Sequence, residues 1–129
     1  MAYKTELNRV RGLGPAGHGG GHWIVHRATA VANILLIGWL FLSILMLPDY
    51  SFEVVSAWMA RPLVAFLLIA ILANTMWHAK MGLQVMFEDY VHDAGMKLIT
   101  LMLLNLYIFG IAGFGIFAVA KHAFTGVAG

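Results

Sequence analysis

The chain has 129 residues, of which 61% are hydrophobic and only 11% charged, against the roughly 25% charged of an ordinary soluble domain. A domain of this size leaves much of its surface exposed, so a chain with a mean hydropathy of +0.83 is not a soluble monomer and must turn most of that surface to lipid or to other apolar protein. Its 8 Lys and Arg against 6 Asp and Glu leave a net +2, too little for a nucleic-acid footprint, and the absence of cysteine excludes disulfides, thiolate metal sites, iron–sulphur ligation and cysteine nucleophiles within this chain.

Residues 1–26 are polar, basic and glycine-rich, with Lys4, Arg9, Arg11 and the run Gly17-His18-Gly19-Gly20-Gly21-His22. Glycine disfavours helix, and the segment is expected to be a polar N-terminal arm ahead of a membrane domain over 27–129. The first apolar segment, Ala28–Leu47, has only Thr29, Asn33 and Ser43 as polar interruptions. As a helix it spans ~30 Å, the thickness of the hydrocarbon layer. It exceeds a signal-peptide core, and no small-x-small cleavage pattern follows, so a retained helix is expected. Pro48-Asp49-Tyr50 stops it, and 48–61 reads as a short loop. Pro62 suits the first position of a helix. The second segment, Leu63–Phe87, is the unusual one, because it holds Asn74, His78, Lys80 and Gln84. Glu88–Gly95 reads as a polar turn, and Leu98–Ala120 is the third apolar segment, followed by Lys121 and His122.

The expected fold is therefore all-α, an integral membrane protein with three transmembrane helices at about 27–47, 63–87 and 98–120. Lys4, Arg9, Arg11 and Arg27 lie on the N-terminal side and Lys97 in the second loop, against Arg61 in the first loop and Lys121 at the C-terminal end. Cationic side chains favour the cytoplasmic side, which puts the N-terminus and the second loop in the cytoplasm or its organellar equivalent. Trp23, Tyr50, Trp58 and Tyr90 fit aromatic belts at the span ends, whereas Trp39 lies well inside. The small residues Gly110, Ala112, Gly113, Gly115 and Ala118 permit close helix packing, and the methionines are apolar filler.

Polar groups within a span cost free energy, about 2.5–3.5 kcal/mol for a central charge on insertion scales, so those of the second span require a reason. Asn74, His78, Gly82 and Val85 follow the rhythm of one helix face, and Asp89 returns to nearly the same azimuth. His78 lies roughly 13 Å inside the span, counted back from Phe87. It reads either as a neutral histidine bonded to a neighbouring helix or as an axial haem ligand, with Gly82 one turn away admitting a flat macrocycle. His18, His22 and His26 precede the first span, His92 is in a loop and His122 follows the third, so a second histidine ligand would have to come from another chain. Lys80 points to another face and can snorkel to the interface. His22 and His26 are one turn apart, and with His18 they invite a zinc reading that lacks a carboxylate at matching spacing; docking to a partner subunit is preferred.

The stretch from His78 through Gly82, Gln84, Val85 and Glu88-Asp89-Tyr90-Val91-His92 resembles the H-x-x-x-G-x-x-Q/V…D-Y-V motif of the succinate dehydrogenase (succinate:quinone oxidoreductase, complex II) membrane-anchor D subunits. His22-Trp23 through Arg27-Ala28-Thr29-Ala30 resembles their H-W…R-x-T-A segment. The likeness runs over essentially the whole chain, and its wording is similar to the alphaproteobacterial and mitochondrial branch.

This resemblance implies that His78 is the haem b ligand of this subunit, with the haem iron completed by a second anchor subunit, C. It implies that Tyr90 hydrogen-bonds a ubiquinone carbonyl, that Asp89 is the neighbouring carboxylate of the quinone pocket and a proton relay, and that Arg27 lies near the haem propionates and the quinone site, the three converging at the cytoplasmic mouth. FAD and iron–sulphur clusters would belong to the partner subunits A and B. The implied function is to anchor that pair in the bacterial inner membrane, or the mitochondrial equivalent, and pass electrons from succinate to ubiquinone. The residues also admit plainer roles: Tyr90 an interfacial anchor, Asp89 a carboxylate paired with Lys97, Arg27 an anchor to lipid headgroups. The anchor of a fumarate reductase, or a small transport or helix-packing subunit without haem, are the alternative functions; the chain lacks the mid-span carboxylate or inverted repeat of a transporter.

Overall fold

The computed structural model describes residues 19–126, and over this range the chain is entirely helical apart from its connections. The four helices are α1 (Gly19–Leu45), α2 (Phe52–Met59), α3 (Pro62–Tyr90) and α4 (Ala94–Thr125). Three of them, α1, α3 and α4, are long and apolar enough to cross a membrane, as expected. His18, and the cationic residues Lys4, Arg9 and Arg11 used for orientation, lie outside the described residues.

The helices are longer than their apolar segments. α1 begins at Gly19 rather than near 27, so the glycines counted against helix form its first turn. Each costs ~1 kcal/mol relative to alanine, but α1 is held by what its next turns touch, since His26 and Thr29 both meet α3. α3 runs through Glu88-Asp89-Tyr90, read from sequence as part of a turn, and α4 continues past Lys121-His122 to Thr125. At ~43 Å and ~48 Å these two helices exceed the hydrocarbon layer and carry their polar ends beyond it or tilt.

The connections explain where the helices stop. Arg61 occupies the cap position of α3 and Pro62 its first turn, where the missing N–H costs nothing. The turn from α3 to α4 is only Val91-His92-Asp93. Asp93 caps α4, its Oδ1 accepting from the Met96 amide at 2.8 Å, and Lys97 Nζ donates to the Glu88 carbonyl at 2.9 Å, a cation on the exposed carbonyl end of α3. The segment 48–61, expected as a loop, contains the helix α2. Asp49 Oδ1 accepts from the Ser51 amide at 2.8 Å, which turns the chain into α2, and Glu53 sits in its first turn. Ser56 and Trp58 bury themselves where α2 meets the start of α3 and the end of α4. Trp58 also stacks on Trp39, ring centroids 6.4 Å apart, which gives the off-belt Trp39 its partner.

The three long helices form a single layer. α3 lies between α1 and α4, which do not touch each other. The buried apolar set is accordingly small: Trp58 on α2, Val64, Ala65 and Met81 on α3, and Leu104 and Ile108 on α4. Of the small-residue stripe on α4, Gly115 is the close-packed member: a Cβ there would lie 3.2 Å from Leu72 Cδ1. Gly110 and Gly113 meet nothing within 4 Å and face outwards, so they serve no packing inside this chain.

Candidate functional site

Thr29 and Asn33 of the first span meet Asn74, Thr75 and His78 of the second in a seam between α1 and α3. Asn74 Nδ2 donates to Asn33 Oδ1 at 2.8 Å and to the Thr29 carbonyl at 2.9 Å. Thr75 Oγ1 donates to the same Asn33 oxygen at 3.0 Å. One turn further along α3, His78 Nδ1 lies 3.0 Å from Thr29 Oγ1. The apolar surroundings explain the collection: a polar group in lipid needs a partner, and the facing helix is where one is found.

The direction of the Thr29–His78 bond follows from the hydroxyl's other neighbours. Thr29 Oγ1 lies 2.9 Å from both the Val25 and the His26 carbonyls, which only accept. With its single hydrogen given to one of them, the hydroxyl presents a lone pair towards His78 and accepts from Nδ1–H. In that arrangement Nδ1 carries the imidazole hydrogen, while Nε2 has no hydrogen-bond partner among the described residues. A ligating imidazole usually has this arrangement, the second ring nitrogen donating to an acceptor that fixes tautomer and orientation. A Cβ at Gly82, one turn on, would meet nothing within 4 Å, so the surface beside His78 is open to a flat group.

His26 was placed ahead of the first span by sequence reasoning. It lies instead inside α1 and stacks on His78, with ring centroids 4.5 Å apart and planes inclined by 24°. His22 follows one turn below, 6.4 Å from His26. The elimination that left no other histidine near His78 is corrected by this contact. Yet two rings face to face do not aim nitrogens at one another from opposite sides of a single iron, so the stack cannot supply both axial positions. No group of three or more His, Asp or Glu side chains able to hold a metal forms among the described residues.

The remaining candidates are not gathered around His78. Arg27 adjoins His26 and so lies at the depth of His78, roughly 18 Å along the helix axis from Tyr90. The expected convergence of Arg27 with Asp89 and Tyr90 does not occur within this chain. The Arg27 guanidinium lies over the Trp23 ring at 4.1 Å. Asp89 and Tyr90 end α3 and are exposed, Tyr90 at 80%. Lys97 donates to the Glu88 carbonyl rather than pairing with Asp89. Lys80 turns away from His78 towards α4, its amine 5.0 Å from the Trp77 ring and 5.2 Å from that of Phe109.

Sequence reasoning overlooked Thr29, Asn33 and His26 as parts of the site. A signal was available: Thr29 and Asn33 are one turn apart in the first apolar segment, as Asn74 and His78 are in the second, and two such pairs on facing helices are complementary.

The chain matches the family model described as succinate dehydrogenase/fumarate reductase transmembrane subunit over residues 1–112. It is similar to the succinate dehydrogenase hydrophobic membrane anchor subunit of Rickettsia bellii, 27% identical over 89 residues that cover 69% of this chain and 71% of the relative. The corresponding subunit of Rickettsia conorii is 25% identical over 106 residues, covering 81% and 84%, and that of Rickettsia felis is 26% identical over 107 residues, covering 83% and 87%. No solved structure matches. The family match takes in α1, α2, α3 and α4 as far as residue 112, the whole polar seam included, and the chain belongs to the succinate dehydrogenase/fumarate reductase transmembrane subunit family.

Proposed function

We propose that this chain is the membrane anchor subunit of a succinate:ubiquinone oxidoreductase and that His78 Nε2 is one axial ligand of a haem b shared with a second anchor subunit. The observation that carries the reading is the half-satisfied imidazole, with Nδ1–H held by Thr29 and Nε2 left free beside an open surface. When bound, the haem supplies a one-electron centre. The chain's own part is to present Nε2 in the correct tautomer and to keep water from the seam behind it. The second ligand comes from the partner anchor subunit, C, since His26 faces the His78 ring rather than opposing its nitrogen.

Arg27, level with His78, is the residue placed to meet a haem propionate, where its planar fork suits a carboxylate; this depth favours the propionate over the quinone. Tyr90 donates its phenol hydrogen to a ubiquinone carbonyl, and Asp89 beside it hands on protons, two of which the quinone takes up with two electrons to become ubiquinol. FAD and the iron–sulphur clusters reside in the soluble subunits A and B, which this chain anchors. Lys97 and Arg27 support a cytoplasmic second loop and N-terminus, in the bacterial inner membrane or its mitochondrial equivalent. The Rickettsia names favour succinate oxidation over the reverse reaction, and the preference of the complex between ubiquinone and a low-potential quinone tests the direction.

The test is the reduced-minus-oxidised optical spectrum of the purified four-subunit complex. A b-type haem signal that disappears in His78→Ala, with the four chains still assembled, is the expected result. Unchanged haem in that variant would overturn the ligand assignment.

A further inference from the structure

We propose that His26 is a positioning residue for His78: its ring packs face to face on the His78 imidazole and, together with Thr29, fixes the plane in which Nε2 meets its ligand. The inference rests on the haem reading above.

A histidine ring is poorly fixed by its own torsions, because the terminal rotation of an imidazole is broad. The hydrogen bond from His78 Nδ1–H to Thr29 Oγ1, at 3.0 Å, holds one atom of the ring but leaves it free to tip about that contact. The second restraint is the His26 ring, 4.5 Å away by centroid and inclined by only 24°. Tipping His78 drives its edge into that face. The two restraints come from positions three apart on α1, which share a helix face. They are also bound to each other, since the Thr29 hydroxyl donates to the His26 carbonyl at 2.9 Å. Both rings are half-buried, so neither neighbour is displaced by water at low cost. The His22 ring, one turn earlier on α1, lies 6.4 Å from that of His26 and within 12° of parallel. The role needs a flat ring and not a particular nitrogen.

The orientation of an axial imidazole about the iron sets the splitting of the iron d orbitals, and so the electron paramagnetic resonance of the ferric low-spin haem. The purified complex is therefore compared as wild type, His26→Leu and His26→Phe, by haem content and by the position and width of the largest g value. His26→Leu is expected to retain haem b while its largest g value shifts or broadens; His26→Phe, which restores a flat ring, is expected to keep the wild-type signal. A wild-type g value in His26→Leu overturns the positioning role. Loss of haem from both variants also overturns it, since a flat ring at position 26 would then not be what the site requires. A wild-type complex with no b-type haem removes the underlying reading, an outcome separate from either of these.

Discussion

Thr29 is the smallest group on which the site depends. Its hydroxyl lies 2.9 Å from two backbone carbonyls of its own helix and 3.0 Å from His78 Nδ1, so it couples a local helix contact to an imidazole on α3. Thr29→Val keeps the shape and removes the acceptor. Outer-shell partners of metal-bound histidines are worth roughly 10–100-fold in affinity, and a loss of haem retention of that order is expected on titrating the complex with a competing apo-haem protein, with Thr29→Ser restoring it. At the other end of α3, Tyr90→Phe removes only the phenol donor. Ubiquinone reduction is expected to fall while succinate oxidation by a soluble dye continues; equal loss in both assays would indicate failed assembly instead. His78, whose ring meets α1 in the seam, stood out in the sequence as a polar exception in an apolar span. His26 did not, because glycines at 19–21 argued for a later helix start and so left it outside the span; Thr29 was seen in its span, but only as a polar interruption of it.

Among the elements, α1 and α3 are joined by polar bonds and α3 and α4 by apolar packing. Interhelical hydrogen bonds in membranes average about 0.6 kcal/mol each and reach about 1.7. Asn74 makes two of them, so Asn74→Leu is expected to destabilise the complex by roughly 1–3 kcal/mol in detergent unfolding and to loosen His78 with it, seen as a lower haem content. α2 is tied in differently. His122 Nε2 donates to the Ser56 carbonyl at 2.9 Å and lies 3.2 Å from its hydroxyl. Ser56→Ala leaves the stronger bond and should be tolerated; His122→Ala removes both and should expose the α2–α4 junction to proteolysis.

The turn before α2 carries a pH dependence of its own. The Ser51 hydroxyl first, and the Ser51 amide second, hold the Asp49 carboxyl below its ordinary value of 3.8. The hydrogen-bonded turn is therefore fully formed above that pH and is lost as the pH falls through the lowered value, which a carboxyl chemical-shift titration in micelles would record. α2 itself was hidden from sequence reading because it is short and bounded by Pro48 and Pro62, so its few apolar residues looked like loop. The three long helices were legible by length and hydropathy alone, since the bilayer rather than tertiary packing sets those signals. Their polar ends were not, because helix continues past the apolar run wherever a cap or a partner sustains it, as Asp93 and Lys97 do between α3 and α4.

Over the described residues the three long helices form a layer with α3 in the middle, and little is buried in any element. Such a chain is half of an interior, and the remainder must be lipid or another subunit. The layer also orders its own making. α3 and α4 are separated by three residues and can close as a hairpin as soon as they enter the bilayer. α1 emerges first, yet its bonds to α3 join residues 41 to 49 positions apart in the sequence. Until α3 is synthesised, the Asn33 amide and the Thr29 backbone wait in hydrocarbon with no facing helix. The seam that holds His78 is thus also the polar contact that joins the first helix to the last two, and it can form only once α3 lies beside α1 in the bilayer.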